Sequence, residues 1–343
     1  MGGPPQFSIV LPLHNGARWV ESALESLRRQ TYSDFDVIVV DDGSTDDGAA
    51  RVEGHALATT LLRQPNRGAA VARNVGAAAS SGRYLAFIDQ DDLWHQDRLA
   101  GLADAFEADP HREAIFTSER AFAVEEDKEQ LASISATLGA WPERYVSGSD
   151  VVEALCAAPD VKRGPCTSIP LQRILSGPVT VTCSVVYKRE LFWAAGGMAS
   201  YSTAADDYVL AASAARLSGL WRLDHATVWY RVHPRSTSRV VQLAYPYLSA
   251  STALRWGSRG NEGSARAIAA MEQPLVRQSL VELLVAGHGR DGKWLDSLAF
   301  ARLLGVPARD ASGIVREAIR ERLGGAHPLV RLFRRVKRTR GRP

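Results

Sequence analysis

A chain of 343 residues, 45% apolar and 23% charged, has the composition of a folded globular protein with enough apolar material for one large α/β domain and an appended piece. The net charge of +3 hides an asymmetry: residues 329–343 hold seven cations and no acid, and removing that +7 leaves −4 for everything before them. Three cysteines without CxxC spacing (Cys156, Cys166, Cys183) argue against a disulfide framework or a thiolate zinc site. With no secretory signal in Met1-Gly2-Gly3-Pro4-Pro5 and no apolar run near the roughly 20 residues of a membrane span, the expectation is a cytoplasmic protein in a reducing compartment.

Phe7 to Leu13 reads as a buried strand ending at Pro12 and the turn signal His14-Asn15-Gly16. Trp19, Val20, Ala23, Leu24 and Leu27 follow at helical spacing. A second apolar strand, Phe35 to Val40, runs into Asp41-Asp42-Gly43-Ser44-Thr45-Asp46-Asp47. Next come a short strand near Thr59 to Leu62, the turn Gln64-Pro65-Asn66-Arg67-Gly68 and an Ala-rich helix through Arg73 and Asn74. The strand Tyr84 to Ile88 then stops at Asp89-Gln90-Asp91-Asp92.

Beyond Trp94 a helix through Leu99, Leu102 and Phe106 is expected, then short strands near Ala114 to Thr117 and Ala121 to Val124. From Glu125 to Gly177 the pattern loosens into an excursion with a helix near Ser149 to Ala157. A strand Val179 to Tyr187 resumes order, Gly196-Gly197 stops a helix, and Leu210, Ala214 and Leu217 mark a helix after Asp206-Asp207-Tyr208. Leu220 to Val232 reads as a strand pair ending at His233-Pro234, and helical signals dominate from about Val241.

Strands alternating with helices, each strand nearly continuous in apolar residues, imply an α/β protein with a parallel sheet covered on both faces. His14, Asp41-Asp42 and Asp89/Asp91 all lie just past the carboxyl ends of separate strands. In a doubly wound sheet those ends share an edge, so three distant polar clusters converge on one crevice. Two carboxylates one residue apart are hard oxygen ligands suited to Mg²⁺ or Mn²⁺ carrying a phosphate. A polar turn with Asp92 capping the next helix is the plainer alternative.

The order of these motifs resembles the family 2 glycosyltransferases, inverting enzymes with the GT-A fold. The matching segments are Ser8 to Asn15, Val39 to Asp46, Asn66-Arg67-Gly68 through Arg73-Asn74, Phe87 to Asp92, Gly196-Gly197, Asp206-Asp207-Tyr208 and Tyr230-Arg231-Val232-His233. The resemblance covers roughly Phe7 to Ser238. It implies a Rossmann-like, mostly parallel sheet with helices on both faces over residues 1–240, with 125–177 on the acceptor side. A mainly helical C-terminal extension would fill 241–343.

The resemblance also implies roles. Pro12 and His14 would form the wall against the nucleotide base, with Asn15 among the nucleotide-binding residues, although the family more often has Tyr at the His14 position. Asp42 would accept a hydrogen bond from the base, with Asp41 near the ribose. Arg73 would lie near the donor phosphates, an exposed helix arginine being the alternative. Asp89 and Asp91 form the DxD pair, Asp91 being a ligand of Mn²⁺ or Mg²⁺, and His233 matches a histidine that approaches the metal or diphosphate. Asp207 matches the catalytic base; Asp206 stands where the family has Glu, and both could instead cap the Tyr208 helix.

The implied reaction moves a sugar from a nucleoside-diphosphate donor to a hydroxyl of a saccharide or lipid-linked acceptor, in polysaccharide or glycolipid synthesis. The basic segment Leu329 to Pro343 fits an anionic membrane surface, which would make the protein peripheral there; a solvated tail is the other reading. Its single aromatic, Phe333, speaks against a nucleic-acid partner. A sugar-nucleotide pyrophosphorylase would need a Gly-rich phosphate loop after the first strand, where Leu13-His14-Asn15-Gly16-Ala17 has one glycine. An inactive scaffold that keeps the fold is the remaining alternative.

Overall fold

Seven consecutive buried residues, Phe7–Leu13, form β1, the strand around which the sheet is laid. In the computed structural model β1 pairs in parallel with β2 (Phe35–Asp42) on one side and β4 (Tyr84–Phe87) on the other, while β3 (Thr60–Gln64) continues beyond β2. Past β4 come β9 (Val185–Lys188), β6 (Ala114–Val124), β10 (Trp221–Arg231) and the two-residue β5 (Leu93–Trp94). Two further strands, β7 (Arg144–Val146) and β8 (Cys166–Ser168), pair with β6 and β10.

The structure describes residues 5–133, 142–147, 151–157, 162–175, 179–198, 206–234 and 236. All of these but Leu175 belong to a unit made of Met1–Ile174, Pro178–Ser200 and Asp206–Ser236; Leu175–Gly177, Tyr201–Ala205 and Thr237–Pro343 make up a second unit. The helical extension expected from 241 and the basic segment 329–343 lie outside the described residues.

Strand direction decides which ends share an edge. β9 is antiparallel to both β4 and β6, so β6 regains the sense of β1, and β10 follows β6 in parallel. The carboxyl ends of β1, β2, β4 and β10 therefore lie along one edge, and so does the segment leading into β9. Between β1 and β4 the strand order turns back on itself, the place where open α/β sheets form their crevice. The last register pair of those two strands is Val10↔Phe87, so Pro12 lies beyond the paired stretch on that side, where a residue without an N–H removes no ladder bond.

Both faces are covered. Val20, Ala23, Leu24 and Leu27 of α1 (Val20–Arg28) recur at helical spacing and pack with Ile9 and Leu11 of β1, joined by Leu99, Leu102 and Phe106 of α4 (Arg98–Glu107). On the other face α3 (Ala69–Ala79) places Ala72 against Ile38 and Val40 of β2. Gly76 of α3 is required there, because a Cβ would stand 2.4 Å from Val10 Cγ1. Each fully buried aliphatic side chain contributes about 1.5–3 kcal/mol.

Several sequence expectations need correction. The two short strands expected over Ala114–Thr117 and Ala121–Val124 are one strand, β6, whose midpoint Ser118-Glu119-Arg120 lies past its pairing with β9. The expected pair over Leu220 to Val232 is also one strand, bent by register shifts around Ala226. Val179 to Tyr187 is not a strand throughout: a 3-10 turn, Thr182–Ser184, precedes β9. Asp92 caps no helix, since β5 follows it directly. The excursion after Glu125 adds β7, β8 and the helix Val151–Cys156 (α6). Cys156, Cys166 and Cys183 are free thiols, and among the described residues no helix is long and apolar enough to cross a membrane.

Candidate functional site

The loops leaving β1 and β2 are laced together by their own polar side chains. Asn15, with a left-handed φ of 49°, accepts from the Thr45 backbone N–H at 2.8 Å and the Thr45 hydroxyl at 3.1 Å. Its own N–H donates to Ser44 Oγ at 3.1 Å, and Ala17 N–H donates to Asp46 Oδ2 at 2.9 Å. Asn and Asp tolerate such backbone positions because their short side chains bond locally. Asp41 accepts from Ser44 N–H at 2.9 Å, which shapes the turn through Gly43.

His14 is exposed at the crevice, its Nδ1 3.0 Å from the Asp42 carbonyl oxygen and its Nε2 3.1 Å from Asn66 Nδ2. The buried Asp42 carboxylate is engaged by the 64–68 turn. It accepts from Gln64 Nε2 at 2.7 Å and from the N–H groups of Arg67 and Gly68, each at 2.8 Å. Asp42 thus holds the third loop against the first two.

At the end of β4 the four residues of Asp89-Gln90-Asp91-Asp92 diverge. Gln90 Oε1 accepts from His14 N–H at 2.8 Å while its Nε2 donates to the His14 carbonyl at 3.2 Å, a two-way bond across the gap between β1 and β4. Gly16 leaves room for it, since a Cβ there would meet Gln90 Oε1 at 2.3 Å. Asp89 pairs with Arg73, which is buried on α3 rather than exposed on it. Asp91 Oδ2 lies 2.9 Å from His233 Nε2, and the His233 ring packs against Trp19 at a 33° tilt with centroids 4.6 Å apart.

Asp92 turns inward. Its Oδ1 accepts the Arg231 N–H at 3.0 Å, tying the end of β4 to the end of β10, and Arg231 Nε returns a bond to the Asp91 carbonyl at 2.7 Å. Burial, reinforced by Asp91 and then Asp89, raises the Asp92 carboxyl well above the usual range. Burial likewise raises the neighbouring Cys183 thiol and lowers the Arg231 guanidinium.

Asp207 stands in the first turn of α9 (Asp206–Leu217). Its Oδ1 accepts the Tyr208 N–H at 2.7 Å and its Oδ2 accepts the Thr182 hydroxyl at 3.3 Å. Thr182 adjoins Cys183, whose thiol lies beside Asp92, so neighbouring residues of one turn reach Asp207 and Asp92. Of Asp206 only the helical backbone is described.

The sequence-predicted residues therefore fall into three groups: His14, Asn15, Asp41 and Asp42; Arg73, Asp89, Asp91 and His233; and Asp207. Pro12 is buried in β1 just below the first group. Gln90, Trp19, Thr182 and Arg98 complete the set and were missed by sequence reasoning. For Gln90 the signal was available, as the middle residue of an acid triplet on a crevice edge. The other three are single residues without a motif.

A divalent cation is tested by its donor set. Among the described residues no group of three or more His, Cys, Asp or Glu side chains is placed to hold a metal by itself. Asp91 and His233, with Asp89 nearby, supply carboxylate oxygen and imidazole nitrogen. That partial set fits Mg²⁺ or Mn²⁺, which complete their shells with water and substrate phosphate.

Similarity to known proteins agrees with this architecture. A fragment of S. aureus TarS (1–349) in complex with UDP superposes with a TM-score of 0.52 at 19% identity, over 93% of this chain and 92% of that one. A mannosyltransferase from Pyrobaculum calidifontis, in complex with GDP-Man and Mn²⁺, gives 0.53 at 20% identity over 94% and 88%. At such identities the likeness concerns the fold, which is GT-A. Among curated sequences, an uncharacterized glycosyltransferase of Rickettsia felis is 36% identical over 95 residues, 27% of this chain and 16% of its own length. The amylovoran biosynthesis glycosyltransferase AmsB of Erwinia amylovora is 37% identical over 100 residues, 27% of this chain and 33% of its own. These matches span about a sixth to a third of the relatives. The family model described as glycosyl transferase family 2 matches residues 8–194, more than half of the chain, from the second residue of β1 through β9, and the chain belongs to that family.

Proposed function

We propose that this protein is an inverting glycosyltransferase, moving a sugar from a nucleoside-diphosphate donor to an acceptor hydroxyl. The observation that carries the reading is that His14/Asp42 and Asp89/Asp91/His233 share one sheet edge, bridged by the Gln90–His14 bonds, while Asp207 is bonded to Thr182 on the segment that enters β9 at that edge. Solved neighbours of the same fold were obtained with UDP and with GDP-Man and Mn²⁺, which supports a nucleotide-sugar donor here.

In this reading Pro12, His14 and Asn15 form the wall for the base, with Asp41 and Asp42 holding the loops that frame base and ribose. Asp91 and His233, assisted by Asp89, would hold Mn²⁺ or Mg²⁺, which when bound supplies positive charge against the departing diphosphate. Arg73 fixes the Asp89 carboxylate from α3. Asp207 accepts the proton of the attacking hydroxyl as the new bond forms, and one base acting by direct displacement inverts the anomeric carbon.

The acceptor is a saccharide or a lipid-linked saccharide, met on the side of residues 125–177. Similarity to an amylovoran biosynthesis enzyme supports a place in polysaccharide assembly. A cytoplasmic enzyme held at an anionic membrane surface by 329–343 is consistent with that substrate. The test is nucleotide release from a panel of nucleotide sugars with Mn²⁺ and acceptor saccharides. Acceptor-dependent release with one donor is expected, and no release with any donor overturns the reading.

A further inference from the structure

The turn Thr182–Ser184 occupies a place that no motif announces: it leads into β9 at the carboxyl edge of the sheet and touches Asp207 and Asp92. Thr182 Oγ1 donates to Asp207 Oδ2 at 3.3 Å, and the next residue, Cys183, has its thiol beside Asp92. Thr182 itself is buried.

The turn is held from two sides. Ser184 staples it from within, its Oγ donating to the Val181 carbonyl at 2.9 Å and its N–H reaching the same oxygen at 3.0 Å, with Thr180 Oγ1 against the Ser184 hydroxyl. Arg98 holds it from beneath, donating to the carbonyls of Cys183 at 3.1 Å and Ser184 at 2.9 Å. The remaining Arg98 bonds go to the hydroxyls of Thr117 and, at 3.0 Å, Thr227. Arg98 is completely buried, stacks over Trp94 at 4.6 Å, and is pulled down to about 9 by desolvation. A buried cation is expensive unless its donors are used, and here two of its bonds fix the carbonyls of this one turn.

We propose that Thr182 is a positioning residue for Asp207: its hydroxyl, carried on a turn clamped by Arg98, sets the orientation of the carboxylate toward the acceptor hydroxyl. The inference rests on Asp207 being the base.

Thr182→Val keeps the shape and removes the donor, whereas Thr182→Ser keeps the donor. The Val variant is expected to lose about 10-fold in kcat, the scale of one hydrogen bond to a charged group, with donor KM within about 2-fold of the parent. The Ser variant recovers most of the rate. A Val variant with parental kcat overturns the proposal. Equal losses in the Val and Ser variants, with lowered melting temperatures, overturn it too by marking a packing role. Asp207→Asn assayed alongside separates the two assignments. An inactive Asn variant with an indifferent Val variant sinks only the positioning role, while a fully active Asn variant removes the base and this inference with it.

Discussion

His233 Nε2 lies 2.9 Å from Asp91 Oδ2, although 142 positions separate the two along the chain. The pairing follows from strand direction, because β4 and β10 deliver their carboxyl ends to the same edge. Trp19 backs the imidazole from the start of α1, so the ring is held by packing on one side and by the carboxylate on the other.

If that pair holds a cation, the metal dependence of activity has to pass through it. EDTA is expected to suppress transfer and Mn²⁺ or Mg²⁺ to restore it. His233→Ala should raise the Mn²⁺ concentration for half-activation by about 10–100-fold, the usual scale for losing one member of a metal site. Asp91→Ala should lower donor affinity as well. Titration of activity against Mn²⁺, with calorimetry for the donor, checks both; unchanged half-activation in both variants contradicts the assignment.

The base and the donor site are separable by substitution. Asp207→Asn keeps the size of the side chain and should lower kcat by about 10²–10⁴ while donor binding stays near the parent value. Single-turnover transfer and equilibrium donor binding, measured on the same preparation, decide it. Loss of binding with loss of rate would move Asp207 into donor recognition.

Helix α3 reaches the sheet only because Gly76 lacks a side chain. Gly76→Ala gains about 1 kcal/mol of helix propensity but drives a methyl into Val10, whose own side chain is fully enclosed. A net destabilisation of about 1–2 kcal/mol is expected, read as a lower urea midpoint with unchanged slope.

Acid should weaken the fold through His225. Burial, then the nearby His95, Arg98 and Arg163, lowers this imidazole from 6.5 to about 4. The folded form therefore binds fewer protons than the unfolded chain between those values, so the stabilisation is complete above pH 6.5 and is lost as pH falls toward about 4. The full span is roughly 3 kcal/mol. Urea unfolding at pH 7 and pH 5 should show the loss, and His225→Leu should reduce it.

The sheet's first half was legible because β1, β2 and β4 are continuous apolar runs that end abruptly at His14, Asp41-Asp42 and Asp89. Order and spacing of those endings then located the crevice. β6 and β10 were harder to read because polar residues interrupt them: Ser118-Glu119-Arg120 lies past the end of β9, and Asp224-His225 sits at a register shift. Thr182 and Arg98 left no trace in the sequence. Their importance comes from which strand is antiparallel, and lone polar residues carry no information about strand direction. Arg73 was placed on the right helix, but its burial against Asp89 required knowing which face α3 turns to the sheet.

The two-way bond between Gln90 and the His14 backbone has a mechanical consequence. It bridges the gap where β1 and β4 have stopped pairing, welding the loop beneath His14 to the segment that bears Asp89 and Asp91. Parting the two lips of the cleft along that seam would have to break both bonds, so the pair resists separation of the two loops.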